Sequence, residues 1–317
     1  MKESNYLSPL VKFSIREPQK DERKISYSQY SMYETCPKSW ELAYARGLRE
    51  YQQSIHTLFG TAFHETLQTY LTVMYTKSIK AADELPLQEM LQNSMKEEYI
   101  KATEAGITGF TTKEEMAEFY THGVEILEWI KKNRGKYFTN QNWELVGIEV
   151  PICHPVSESN DHVIMIGFLD VVLRNTKTDE IVIIDIKTST AGWNKYQKAN
   201  KLKASQLVLY KEYYAKQFGV DVEKIHIEYF IVKRTLMEGA MFPQKRVQQF
   251  RPASGKPTRN KLIKSLDSFV ESSFGKDGSY NLDREYPAVG GKGLKNCRYC
   301  LFADREDLCP KANRIRE

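Results

Sequence analysis

The sequence has little that would mark a membrane or secreted protein. No stretch nears the roughly 18 consecutive uncharged apolar residues of a membrane-spanning helix. The first residues, Met1, Lys2, Glu3, Ser4 and Asn5, lead into no apolar run of the kind a secretory signal carries. Cysteine is scarce, five in 317 residues and unevenly placed, too few for a disulfide scaffold. The expected setting is therefore the reducing cytoplasm, where thiols stay free to bind metal. Internal repeats and low-complexity tracts are absent, which excludes solenoids and compositional tails. No Gly-x-x-x-x-Gly-Lys-Ser/Thr loop occurs, so the chain is not itself a nucleotide-driven motor of that class. Charge of one sign is also lacking: 46 basic against 41 acidic residues leave +5, which permits a polyanionic partner without demanding one.

What is present suits a folded α/β protein. The chain is 41% apolar and 12% aromatic, ample for a core in one large domain or two small ones. Residues 1–25 mix charge, Pro and Ser without periodicity and are expected to form an N-terminal arm. From Ser26 to Leu48, Tyr30, Met32, Tyr33, Trp40, Leu42 and Tyr44 suit a capped helix that Pro37 interrupts. Leu58, Phe63, Leu67, Tyr70, Leu71 and Met74 recur at helical spacing, and residues 85–135 read as two further helices parted near Gly106 to Phe110. The pattern then changes to Val- and Ile-rich segments at 145–152, 162–174 and 181–186, with Asn175, Thr176 and Lys177 as a turn. A helix at 203–217, strands at 225–233 and 246–251 and a helix at 258–272 complete a mixed sheet with helices on its faces. The tail from Phe274 is rich in Gly, Lys and Cys. The expected layout is a main domain over 26–274, with a helical insertion at about 75–140, and a cysteine-bearing segment at 275–317 that packs with Cys36.

Two carboxylates stand out. Asp170, in Gly167-Phe168-Leu169-Asp170, precedes Asp185-Ile186-Lys187 at the end of a strand, and adjacent antiparallel strands can bring the two acids together. Two carboxylates and the Ile186 backbone carbonyl make a hard oxygen site suited to Mg²⁺ or Mn²⁺. Lys187 shares a strand face with Asp185 and can reach an attacking water. Such a set meets the needs of phosphodiester hydrolysis, although Asp-x-Lys alone also describes an edge-strand ion pair. Gln206 and Tyr210, four apart on a helix, share one face and could hold a phosphate backbone, or simply mark an amphipathic helix. His64 lies early on an otherwise apolar helix, where a lone histidine is more often a satisfied core residue than a ligand. Glu149, on the strand before Asp170, is a further carboxylate, metal-binding or structural.

Cysteine spacing gives a separate signal. Cys297, Cys300 and Cys309 form a C-x₂-C-x₈-C cluster, and three thiolates need a fourth ligand for tetrahedral zinc or a cubane cluster. Cys36, followed by Pro37, is the candidate fourth, and Cys153 is the spare. Basic residues gather at Lys245, Arg246, Arg251, Lys256, Arg259, Lys261 and Lys264 around Phe250, and again at Lys292, Lys295 and Arg298. These fit phosphate contacts or merely a solvated face. Trp193 and Tyr196 could stack on single-stranded bases or anchor a loop.

In order, His64, Gly167 to Asp170, Asp185-Ile186-Lys187 and Gln206-x-x-x-Tyr210 resemble the motif series of RecB-like nucleases in the PD-(D/E)XK superfamily. Tyr27-Ser28-x-Tyr30 through Cys36-Pro37 is similar to that family's N-terminal signature. The resemblance covers about 26–233 and implies a restriction-endonuclease-like core. It implies that His64, Asp170 and Asp185 bind divalent metal, that Lys187 positions or activates water, and that Gln206 and Tyr210 contact nucleic acid. Asp185 stands where the family often has Glu. One distant cysteine with three near the end resembles the iron-sulfur staple of AddB-type and CRISPR-associated RecB-like exonucleases. That implies a 4Fe-4S cluster on Cys36, Cys297, Cys300 and Cys309, with zinc the competing occupant. The expectation is a metal-dependent deoxyribonuclease, an exonuclease acting on DNA with a free end in repair, recombination or viral DNA processing, possessing a helicase or recombination partner. The rivals are an inactive nuclease-fold DNA-binding module and a zinc-containing nucleic-acid-binding protein.

Overall fold

The computed structural model describes residues 16–158 and 160–316. The expected arm therefore lies largely outside the described residues, but its end is not irregular: β1 (Arg23–Ser26) leads directly into α1 (Tyr27–Thr35). Cys36 is extended, with φ −161° and ψ 103°, and Pro37 opens α2 (Pro37–Trp40), where a missing N–H costs nothing. A π-helical turn, Glu41–Ala45, follows. α3 (Ile55–Thr76) starts behind Ser54, whose hydroxyl accepts the Thr57 N–H at 3.2 Å. Next come α4 (Ile79–Asp83), α5 (Leu87–Glu104) and α6 (Lys113–Asn133), the last behind a capping box of Thr112 and Glu115. β2 (Trp143–Ser157), β3 (Asn160–Asn175) and β4 (Ile181–Ser189) are the meander, and α7 (Lys195–Ala199) and α8 (Lys201–Phe218) follow it. Gly219, at φ 65°, ends α8 in the left-handed conformation that glycine tolerates best. β5 (Ile225–Lys233), β6 (Val247–Phe250) and α9 (Lys256–Ser273) complete the regular structure expected from the patterning. The sequence reading missed α4 and α7, each five residues long, because a helix of that length shows no periodicity.

The described residues divide into two compact units. The first comprises Gln52–Val150 and Phe168–Ser254. Its sheet is mixed: β3 runs antiparallel to β4, with Val171 opposite Ile184. β4 runs parallel to β5, with Asp185 beside Tyr229 and Lys187 beside Ile231. β5 is antiparallel to β6, with Tyr229 opposite Phe250. On one face Ile184, Ile186, Phe230, Val232 and Val247 join a core with Leu58, Phe63 and Leu67 of α3, Leu91 of α5 and Ile126 of α6. Strand alternation turns Asp185, Lys187, Tyr229 and Ile231 to the other face. There α8 packs on β4 and β5, and the Tyr229 hydroxyl donates to the Lys203 carbonyl at 2.6 Å. A mixed sheet flanked by helices is thus what the strand and helix patterning led us to expect.

The second unit comprises residues 16–51, Pro151–Gly167 and residues 255–316. β1 runs parallel to the start of β3, with Arg23 beside Val163 and Ser26 beside Ile166. Trp40 is fully buried among rings: Phe269, Phe274, Tyr280 and Tyr286 lie at centroid distances of 5.2, 5.7, 5.9 and 5.5 Å. Beyond α9 the tail has turns, short 3₁₀ pieces and isolated bridges, with Val289 paired to Ile315. No helix among the described residues is long and apolar enough to cross a membrane.

Candidate active site

The antiparallel register of β3 and β4 makes Asp170 and Asp185 the next residues after the Val171–Ile184 pair, and here the strands part. Asp170 Oδ2 accepts the Ile186 N–H at 2.7 Å instead of leaving that donor to the ladder. His64, on the third turn of α3, brings Nδ1 to 3.5 Å from the same Asp170 oxygen, and its ring lies beside the Ile186 backbone. Lys187 Nζ lies 2.7 Å from Asp185 Oδ2. That oxygen is buried, and the Lys187 ammonium is its charge-assisted partner. Gln206 Nε2 meets the Tyr210 hydroxyl at 3.4 Å on α8, and Tyr210 is buried, so only the Gln206 end faces outward. The neutral Tyr210 hydroxyl lies within electrostatic range of Lys187, Asp185 and Asp170. The structure therefore brings together His64, Asp170, Asp185, Ile186, Lys187, Gln206 and Tyr210, which are scattered over 147 positions of sequence from 64 to 210.

Burial dominates the electrostatics. Loss of solvent pushes the Asp170 carboxyl well above the usual range, and the Asp185 charge adds to the effect. Burial also raises Asp185, against the pull of Lys187. For Lys187 burial works against the ammonium, but Asp185 and Asp170 outweigh it and the pKa rises. His64 is lowered to about 4 by burial and by the Lys187 charge, which leaves a neutral imidazole near pH 7. Two acids held at a cost in one buried site call for a cation. Hard oxygens and a neutral imidazole suit Mg²⁺ or Mn²⁺ chemically. Among the described residues no three His, Cys, Asp or Glu side chains are drawn together as a ligand set; the Ile186 N–H and the Lys187 ammonium are the partners of the two aspartates.

Two participants carry little sequence signal. Gln68, one turn beyond His64 on α3, donates to Glu149 Oε1 at 2.6 Å and to the Asp170 carbonyl at 3.3 Å. A glutamine at the i+4 position from His64 on an apolar helix was the available clue. Glu149 has φ 50°, a left-handed backbone rare for a residue with a Cβ. Burial raises its pKa, and its charge acts on Asp170.

Of the other residues singled out, Trp193 is 9% exposed and packs on Tyr229 at 4.9 Å, so it anchors the loop and cannot stack on a base. Arg246 and Arg251 are paired with Glu125 and Glu228, and Arg259 is buried. That removes them from a free basic patch. In the second unit Cys36, Cys297, Cys300 and Cys309 line one small cavity of about 20 Å³, whereas Cys153 does not line it. Cys36 Sγ accepts the Val289 N–H at 3.3 Å, and burial raises its pKa. All four thiols are free, and no three of them are drawn to ligating distance. The donor chemistry suits a thiophilic metal, while the space is that of one water-sized occupant.

A family model described as the PD-(D/E)XK nuclease superfamily matches residues 24–309. No curated protein matches. A solved structure described as "Crystal structure of SSO0001" is similar at 12% identity and a TM-score of 0.30, covering 90% of this chain and 96% of that one. The family match runs through the strands that carry Asp170, Asp185 and Lys187 and takes in all but the first 23 and the last 8 residues, and the chain belongs to the PD-(D/E)XK nuclease superfamily.

Proposed function

We propose that this protein is a metal-dependent deoxyribonuclease acting from a DNA end. Asp170, Asp185 and the Ile186 carbonyl would hold Mg²⁺ or Mn²⁺, with His64 as an accessory ligand. When bound, the metal supplies a polarised phosphate and a more acidic water. Lys187 orients that water and offsets charge on the phosphate, and Gln206, with the Tyr210 hydroxyl behind it, contacts the phosphate backbone. The observation that carries the reading is the pair of acids Asp170 and Asp185 on neighbouring strands, with the Lys187 ammonium 2.7 Å from Asp185 Oδ2 and His64 Nδ1 3.5 Å from Asp170 Oδ2. The test is digestion of end-labelled and circular DNA with Mn²⁺, with and without EDTA. Lys187→Ala is expected to keep DNA binding and lose roughly 10²- to 10³-fold in cleavage rate. Undiminished hydrolysis by that variant overturns the assignment. Cleavage of the circle at the rate of the linear DNA overturns the preference for ends. Without a phosphate loop of its own, the chain would depend on a separate helicase wherever strands must first be opened, as in repair, recombination or viral DNA processing.

For the cysteine group, the resemblance favours a 4Fe-4S cluster on Cys36, Cys297, Cys300 and Cys309. The small cavity favours the second reading, a single Zn²⁺. Either requires a reducing compartment. The absorption spectrum and metal content of anaerobically purified protein decide between them.

A further inference from the structure

We propose that residues 192–203 form a surface that carries single-stranded nucleic acid to the active site, with Tyr196 stacking on a base and Lys195, Lys198, Lys201 and Lys203 holding phosphates. The inference rests on the nuclease reading and names the form of its substrate. Between Ile186 and Lys211 the chain contains no Asp or Glu. None of the four lysines is ion-paired among the described residues, and three of them are exposed. Three of them lie against rings: Lys195 Nζ is 5.1 Å from the Tyr196 ring, Lys198 Nζ 5.9 Å from Phe250 and Lys203 Nζ 5.2 Å from Trp193. Interleaved cations and aromatics in a segment that carries no acid of its own are the chemistry that suits a single strand.

The fold fixes this segment beside the catalytic strand. Gln248 Oε1 accepts the Trp193 N–H at 2.8 Å, and Gln248 Nε2 donates to the Trp193 carbonyl at 3.1 Å. The Trp193 ring packs on Tyr229, which is the partner of Asp185 in the β4–β5 register. Trp193 therefore packs over β5, the strand next to that of Asp185 and Lys187, and on the same face of the sheet. Gln248 also lines a cavity of about 560 Å³ at the sheet edge with Lys136, Lys233 and Lys245. Tyr196 is 74% exposed. It contributes nothing to the core, and an open ring amid unpaired lysines offers a stacking face. A duplex keeps its base faces stacked and offers none in return.

The test is fluorescence anisotropy of the full chain in EDTA, with labelled oligothymidylate of about 20 nucleotides and a blunt duplex of equal length as probes. Tyr196→Ala is expected to weaken binding of the single strand roughly 5- to 150-fold and to leave the duplex within about twofold, while Tyr196→Phe retains wild-type affinity. Lys195→Gln with Lys198→Gln should lower the salt dependence of single-strand binding by about 1.4, or about 0.7 per lost phosphate contact. Unchanged single-strand affinity in Tyr196→Ala, equal losses on both probes, or an unchanged salt slope overturns the proposal. Melting temperatures confirm that the variants fold. Binding in EDTA is independent of cleavage, so the two readings fail separately. If the protein hydrolyses no DNA with any metal yet binds strands through Tyr196, the nuclease reading falls and this surface stands.

Discussion

At the scale of single residues, Glu149 is the informative departure from what patterning anticipates. A left-handed backbone at a residue with a Cβ costs on the order of 1–3 kcal/mol and persists only where its surroundings enforce it. Here it delivers a carboxylate to Gln68, whose amide also holds the Asp170 strand. Glu149→Gln is expected to weaken Mn²⁺ activation, read as a rightward shift of the Mn²⁺ titration, with the melting temperature little changed. Phe168 offers a second check. It is 58% exposed and, two residues from Asp170, shares its strand face. Phe168→Ala should alter stability by less than about 0.5 kcal/mol, so a fall in cleavage rate in that variant reports contact with substrate. His64 adds a pH signature. Its folded pKa of about 4 lies below the ordinary 6.5, so between those values the unfolded chain binds the extra proton. This residue therefore makes the fold more stable as pH rises through that window and less stable as pH falls. His64→Gln should flatten the rise of melting temperature between pH 4 and 6.5 relative to the wild type.

At the scale of elements, α3, α5 and α6 meet at Gly123. A Cβ there would come within 2.5 Å of Leu91 Cδ2 and 2.9 Å of Phe59 Cε2, both in fully buried side chains. Gly123→Ala is expected to destabilise the protein by about 1–3 kcal/mol through overpacking, measured by urea unfolding. In most exposed helix interiors the same change stabilises. The helices were legible because Leu58, Phe63, Leu67 and Leu71 keep the helical period, and the strands because Val and Ile crowd 181–186. Nothing in that patterning said that β4 pairs in parallel with β5, since pairing is chosen by contacts between segments about 40 residues apart.

At the scale of the molecule, Cys36 and the C-terminal triplet converge on one cavity across most of the chain's length. A metal bound there would stabilise the fold only while bound, since the unfolded chain holds no such site. Cys36→Ser should therefore release the metal and expose the tail from about 275 to protease. Cys153→Ser should do neither, because Cys153 lies away from the cavity. Metal analysis with limited proteolysis checks both; metal loss in Cys153→Ser alone reverses the ligand assignment.

Short-range patterns were set by the sequence itself: the carboxylate and lysine of Asp185-Ile186-Lys187 on one face of a strand, the Ser54 and Thr112 caps, the break at Pro37 and the local C-x₂-C-x₈-C cluster. Each depends on neighbours within a few residues, where backbone geometry leaves few choices. The tertiary structure decided the rest. Trp193 is buried while Tyr196, three residues on, is open, because Gln248 holds the loop against β5 and β6. Gln68 and Glu149 meet because a strained backbone turns one toward the other, and Asp170 reaches the Ile186 N–H because β3 and β4 part just where the acids begin. Such features arise from packing between distant segments, which no local pattern encodes.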